Sequence, residues 1–269
     1  MNNITIFTKP SPKAQAIERN LRRQLEKSKV SPKREVIITI GGDGTTLMAI
    51  KEHINSNAAF VGISAGHLGF LQTLEEKDIP SLIQALKTNS FTTIEAPLVG
   101  VAYSGKKTDE KRGSVIGYGF NDVIVERFGP RAVRFDLHID DASGTFIGDG
   151  VIFATPLGST AYSLAAGGPI IDSRAQDVLV ITPSNPHISA LYSSLQRPHV
   201  LQKGRTIKIH ATKEDLGERP IQLSIDGIAA VQVLTAPIEI FLSNKTVSLL
   251  EITASDFHNR IDMKRLGKY

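Results

Sequence analysis

Residues 36–46 read VIITIGGDGTT. Val36–Ile40 is an unbroken apolar run rich in β-branched side chains, the composition of a parallel strand covered on both faces. A glycine turn follows, and TTLMAIKEHI (45–54) then carries Leu47, Ile50 and Ile54 at helical spacing. Strand, turn and helix in that order form the repeating unit of open α/β sheets, whose ligands bind at such turns. Gly41, Gly42 and Gly44 permit positive φ and let backbone amides approach an anion, and the helix start near Thr45 adds its partial positive end. Asp43 complicates a plain phosphate cradle, because carboxylate and phosphate repel. It can cap the helix, accept a proton from an attacking hydroxyl, or hold a Mg²⁺ ion that screens phosphate charge. The last two imply phosphoryl transfer, with an alcohol as acceptor. The turn matches neither the Walker A pattern, which needs GK[ST], nor the dinucleotide fingerprint, which needs a small residue where Leu47 stands.

The same rhythm extends outward. ITIF (4–7) and AFVGIS (59–64) read as buried strands, and KAQAIERNLRRQLEK (13–27) puts Ala14, Ile17, Leu21 and Leu25 on one helical face. DIPSLIQALK (78–87) does so with Ile79, Leu82, Ile83 and Leu86, and Asp78 is placed to cap it. This order predicts a doubly wound parallel α/β domain over residues 1–96. Beyond it, strands alternate with Gly, Asp and Asn turns. AVRFDLHID (132–140) alternates apolar Val133, Phe135, Leu137 and Ile139 with polar neighbours, and DASG (141–144) offers a turn. RTIKIHAT, IQLSIDG, AAVQV, IEIFLS and TVSLLEI continue the pattern, so residues 97–251 are expected to form a mostly β, sandwich-like domain. The basic tail 252–269 is expected either to complete the first domain or to fray.

Composition narrows the function classes. No apolar run approaches the roughly 20 residues of a bilayer span, and MNNITIFTKP lacks the pattern of a signal peptide, so a membrane partner is not expected and a cytoplasmic location is. The chain has no cysteine, which excludes disulfides, thiolate chemistry and Zn–Cys sites. Its net charge of +4 suits anionic small molecules but is small for a nucleic-acid binder. The run KKTDEKR (106–112) reads as a solvated loop, and the seven histidines form no HxH or HExxH pair, so no histidine metal site is expected.

Several stretches carry a resemblance. GGDGT (41–45) is shared by the NAD kinases, by diacylglycerol and sphingosine kinases and, in a close variant, by 6-phosphofructokinases. GHLGF (66–70), FNDVIVER (120–127), SIDG (224–227) and above all IGDGVIFATPLGSTAYSLAAGGPI (147–170) resemble the NAD kinases specifically. The resemblance implies an enzyme that phosphorylates the adenosine-ribose 2′-hydroxyl of NAD with ATP, or in some members polyphosphate, and a divalent metal, Mg²⁺, delivered with the nucleotide. It also implies two domains with the site between them and a homodimer or homotetramer. By resemblance, Asp43 is the proton acceptor, and Gly41, Gly42, Gly44 and Thr45 form the phosphate side. Phe70 touches the nucleotide, Asn121 and Asp122 bond the ribose hydroxyls, and Asp149 accepts from a base or carboxamide. Thr160, Ala161, Tyr162 and Ala165 line the dinucleotide site. The chain departs from the family twice, with Asn-Asp for Asn-Glu at 121–122 and Ala165 where many members have serine. TPSNPHISALYSSLQRPHV (182–200) matches only loosely. Two other readings stand beside this one: a lipid kinase, which needs a greasier acceptor site than GSTAYSLAAGGP (158–169) offers, and a nucleotide-binding regulator without catalysis, in which Asp43 only shapes the turn.

Overall fold

The computed structural model describes residues 3–66, 69–104, 114–172, 174–188, 195–211 and 213–252. The loop expected at 106–112, His67 and Leu68 of GHLGF, the middle of 182–200 and the tail beyond 252 lie outside the described residues. The chain divides into two compact units, one formed by residues up to Ala96 together with the chain from Thr246, the other by Pro97–Lys245. No helix among the described residues is long and apolar enough to cross a membrane.

The first unit is built as β1 (Ile4–Thr8), α1 (Pro12–Ser28), β2 (Val36–Gly41), α2 (Asp43–Glu52), β3 (Ala59–Ser64), β4 (Gln72–Leu74) and α3 (Ile79–Thr88). β1, β2 and β3 pair in parallel and in sequence order, and β4 adds in parallel to β3. Ser11 caps α1 by accepting the Ala14 amide, with Pro12 in the first turn, where a missing N–H costs nothing. The buried stripe Ala14, Ile17, Leu21 and Leu25 packs with Ile79, Leu82, Ile83 and Leu86 of α3 against Val36, Ile38 and Ile40. Thr39 points to the opposite face, where its Oγ1 lies 2.7 Å from Oγ1 of Thr46 in α2. Helices therefore cover both faces of the sheet.

Three local expectations are corrected. α2 begins at Asp43 and buries Thr46, Ala49 and Ile50 rather than the Leu47, Ile50, Ile54 stripe, and it ends before Ile54. Thr46 displaces Leu47 from the buried side because its hydroxyl is bonded there. Asp78 does not cap α3 with its side chain; it accepts the Glu75 amide at 2.8 Å and closes the short 3₁₀ turn that precedes the helix. Gly41, Gly42 and Gly44 are not in the positive-φ region, which the chain's glycines reach only at Gly167, Gly204 and Gly227 among the described residues.

The second unit contains β6 (Val115–Gly119), β7 (Asp122–Arg127), β8 (Val133–Ile139), β9 (Ala142–Gly148), β10 (Gly150–Ala154), α4 (Tyr162–Ala165), β11 (Val178–Ser184), β12 (His199–Gln202), β13 (Thr206–His210), α5 (Lys213–Glu218), β14 (Ile221–Ile225) and β15 (Ile228–Val231). β5 (Thr92–Tyr103) enters it and β16 (Ile238–Glu251) leaves it. One sheet runs β12-β11-β10-β7-β14-β15, all antiparallel, and it is faced by β9-β8-β13-β16 with β5 and β6. Val123, Val125, Val151, Phe153, Leu179 and Leu223 meet Phe135, Phe146, Ile207, Ile209 and Ile240 in a single core. Phe135 and Phe146 stack with ring centroids 5.1 Å apart. IEIFLS and TVSLLEI, which read as two strands, are one 14-residue strand. The β8–β9 turn falls at Asp140-Asp141, one residue before DASG, with Asp140 at φ 51° as a two-residue hairpin loop requires.

Candidate active site

In the first unit the strand–helix junction holds Asp43 by its carboxylate. Oδ2 accepts the Phe70 amide at 2.9 Å and Oδ1 accepts the Leu71 amide at 2.8 Å. Gly42, not Asp43, is the cap residue of α2, and no side chain bonds the cap amides. The carboxylate is therefore spent on a loop nearly thirty residues away in sequence and not on its own helix. Of the glycines, Gly41 is required by the fold, because a Cβ there would overlap Thr45 Oγ1. Gly42 and Gly44 face open space and need no unusual φ. Among the described residues nothing demands glycine at those two positions, and the orphan amides of the helix start lie beside them. Thr45 and Phe70 are half-buried beside this turn.

The second unit builds its polar centre around Asp226. This residue sits at φ 48° in the Asp-Gly turn between β14 and β15. Its Oδ2 accepts the Phe120 amide at 2.8 Å, and its Oδ1 accepts those of Asn121 at 2.7 Å and Asp122 at 3.1 Å. The turn entering β7 is thereby clamped. Asn121, half-buried, makes no side-chain hydrogen bond among the described residues. Asp122 is only 4% exposed. Burial first, then the nearby carboxylates of Asp226 and Glu126, push its carboxyl up to about 7. Glu126, four residues further along β7, accepts from Gln222 and Ser224.

IGDGVIFATPLGSTAYSLAAGGPI packs onto this turn. Thr155 donates its hydroxyl to the Phe120 carbonyl at 2.8 Å, and its amide donates to the Asn121 carbonyl at 2.9 Å. A Cβ on Gly158 would overlap that same carbonyl, so only glycine lets the 3₁₀ turn Gly158–Thr160 come so close. Ser159 bridges Pro156 and Ile171, and Ser163 pairs with Thr182 at 2.8 Å. These buried hydroxyls belong to the scaffold. Thr160 already donates to the Leu157 carbonyl at 3.0 Å, so it has only acceptor capacity to offer outward.

Asp149 and Tyr162 line one cavity of about 290 Å³ with Ile124, Ile152, Arg127 and Asn185. Tyr162 is 45% exposed. Asp149 has two partners within the chain: Arg127 Nε lies 3.0 Å from Oδ1, and Asn185 donates to Oδ2 at 2.8 Å. Ala165 is exposed on α4 and does not line the cavity. Asp226 and Arg127 lie in SIDG (224–227) and FNDVIVER (120–127), two of the stretches that carry the resemblance, but the sequence assigned them no individual role, and it offered no signal for Asn185. Among the described residues no three His, Asp or Glu side chains gather as a cation site.

Residues 5–91 match the family model described as the ATP-NAD kinase N-terminal domain, and residues 121–251 match the ATP-NAD kinase C-terminal domain. The NAD kinase of Clostridium beijerinckii is 31% identical over 87% of this chain and 78% of its own length. The chain belongs to the NAD kinase family. The NAD kinase of Chlorobaculum tepidum is 33% identical over 89% of the chain and 78% of its own length. In fold, the chain is similar to yeast NADH kinase, solved as its complex with NADH, with a TM-score of 0.80, 23% identity and coverage of 99% of this chain and 88% of the other. It is also similar to the NAD kinase of Archaeoglobus fulgidus, solved with ATP, with a TM-score of 0.73, 20% identity and 98% coverage of both. The fold is thus that of the NAD kinases, a parallel α/β sheet followed by an antiparallel β-rich part, and the lipid kinase reading is not favoured.

Proposed function

We propose that this NAD kinase moves the γ-phosphoryl group of ATP to the 2′-hydroxyl of the adenosine ribose of NAD, releasing NADP and ADP, with Asp43 taking the proton. The 2′-oxygen forms a bond to the γ-phosphorus, the bond from that phosphorus to the β,γ-bridging oxygen breaks, and the hydroxyl proton passes to the carboxylate. The identity to NAD kinases over nearly the whole chain carries this reading.

The geometry supports particular roles. Two loop amides fix the Asp43 carboxylate in orientation, and an ionised carboxylate keeps further lone pairs for a hydroxyl proton. Gly42, Gly44 and the first amides of α2 offer a close approach to phosphate, with Gly41 and Thr45 shaping the turn and Phe70 touching the nucleotide. Asn121 brings an unengaged carboxamide to the ribose hydroxyls. Asp122 beside it donates below about pH 7 and accepts above, one methylene shorter than the family's glutamate. Thr160, Ala161, Tyr162 and Ala165 line the dinucleotide, and Asp149, oriented by Arg127 and Asn185, accepts from a base or carboxamide.

A divalent metal fits this chain as a passenger on ATP, since the described residues offer no dedicated cage and Mg²⁺ is commonly held by one or two carboxylates plus substrate phosphates. Bound there, Mg²⁺ supplies charge screening for the transferring phosphoryl group. The same reading makes the enzyme a cytoplasmic homodimer or homotetramer, on the family resemblance. The test is a coupled assay: Mg-ATP or polyphosphate with NAD, and NADP detected by an NADP-specific dehydrogenase. NADP formation is expected with ATP; no NADP above background with either donor would overturn the proposal.

A further inference from the structure

Behind the glycine turn lies a buried polar string. Thr39 Oγ1 and Thr46 Oγ1 are 2.7 Å apart, Gln72 Nε2 is 3.0 Å from Thr46 Oγ1, and none of the three residues is more than 1% exposed. A carboxamide at that depth has two donors and an acceptor to satisfy, yet Gln72 Oε1 has no hydrogen-bond partner among the described residues.

Gly69 shows where that oxygen points. A Cβ on Gly69 would overlap both Gln72 Oε1 and Asp43 Oδ1, so the two oxygens converge on one point beside the Gly69 Cα. Two acceptors facing each other without a proton repel. Turning the carboxamide by half a revolution removes the conflict, because its oxygen and nitrogen exchange places. The Thr46 hydroxyl then donates to the Gln72 carbonyl, the Thr39 hydroxyl donates to Thr46 Oγ1, and the Gln72 NH₂ faces Asp43 Oδ1. The orphaned acceptor disappears, and the exchange costs only the long, 3.4 Å bond from the Thr39 hydroxyl to the Val61 carbonyl.

We infer that Gln72 is a positioning residue for Asp43: its NH₂ and the Leu71 amide together occupy Oδ1, leaving Oδ2 as the atom that takes the ribose proton. The inference rests on the reading of Asp43 as the base. Each oxygen accepts one loop amide, so a Gln72 NH₂ on Oδ1 fills its second lone pair and leaves Oδ2 the one with a lone pair to spare. Gly69 is required so that backbone can pass against both groups. Thr39 and Thr46 act at one remove, by fixing which end of the carboxamide faces the carboxylate.

The test is steady-state kinetics on Gln72→Met, which keeps the length without a donor, and on Thr46→Val and Thr46→Ser, with melting temperatures to confirm folding. Gln72→Met is expected to lower kcat by roughly tenfold or more while KM for NAD and ATP stays within about twofold, as misplacement of a base predicts. Thr46→Val should lower kcat in the same way, and Thr46→Ser should restore it. In an Asp43→Asn background Gln72→Met should add no further loss, because no base remains to be held. Full kcat in Gln72→Met, or an equal loss in the Asp43→Asn background, would overturn the inference. Should Gln72→Met not fold, unchanged kcat in Thr46→Val would overturn it instead. Undiminished turnover by Asp43→Asn alone would overturn the reading of Asp43 as base, a result separate from these.

Discussion

Replacing Asp122 by asparagine should make the folded protein more stable in alkaline than in acid solution relative to the parent, by an amount the structure sets. Burial and the carboxylates of Asp226 and Glu126 push the Asp122 carboxyl from its ordinary 3.8 to about 7. Between those values the folded chain holds a proton that the unfolded chain releases. Stability therefore falls as pH rises through this window, and the contribution present below pH 4 is gone above pH 7. Each pH unit of separation is worth about 1.4 kcal/mol, so the whole loss is about 4 kcal/mol and the part between pH 5 and pH 8 is about 2–3 kcal/mol. Asparagine keeps the shape and removes the titration. Urea unfolding of both proteins at pH 5, 6, 7 and 8 measures the effect. The advantage of Asp122→Asn should grow by about 2–3 kcal/mol from pH 5 to pH 8, with unchanged slopes on denaturant. A difference between the two proteins that does not vary with pH would refute the reasoning, since it would mean that Asp122 is ionised in the folded protein throughout.

Asp226→Ala removes the acceptor of three backbone amides and should cost about 2–4 kcal/mol by chemical denaturation, because hydrogen bonds to a charged group are the strong ones. Gly158→Ala forces a methyl into the Asn121 carbonyl, and a loss of about 1–3 kcal/mol with a lower melting temperature is expected. Gly44→Ala faces open space, so it should leave stability within about 1 kcal/mol yet raise KM for ATP in the coupled assay.

The regular parts of the fold were legible because each rests on a short-range pattern. The stripe Ala14, Ile17, Leu21, Leu25 and the run VIITI announce their burial through spacing alone, and the structure buries them. What spacing counts is apolar area, so Thr46 was passed over for Leu47: a hydroxyl that closes a buried string with Thr39 and Gln72 looks polar in sequence. The glycines of GGDGT do sit at a strand–helix turn, but not for the conformational reason the sequence offers. Their freedom of φ goes unused: Gly41 is fixed by the closeness of Thr45, while Gly42 and Gly44 face open space. The partners of the polar groups were out of reach for another reason. Asp226 grips amides more than a hundred residues away, and Asp43 reaches the loop at 70–71, contacts that exist only after the chain has folded. Arg127 on Asp149 is of the same kind, an ion pair from the end of β7 to the junction of β9 and β10 that no local motif encodes.

The most direct test of the account is the turnover of Asp43→Asn with Mg-ATP and NAD, read as NADP formed, together with NAD binding measured by calorimetry. With Asp43 as the base, kcat falls by about 10²–10⁴-fold while NAD still binds. Turnover equal to that of the parent, with NAD bound equally well, would contradict it and leave Asp43 as the anchor of the 69–71 loop and nothing more.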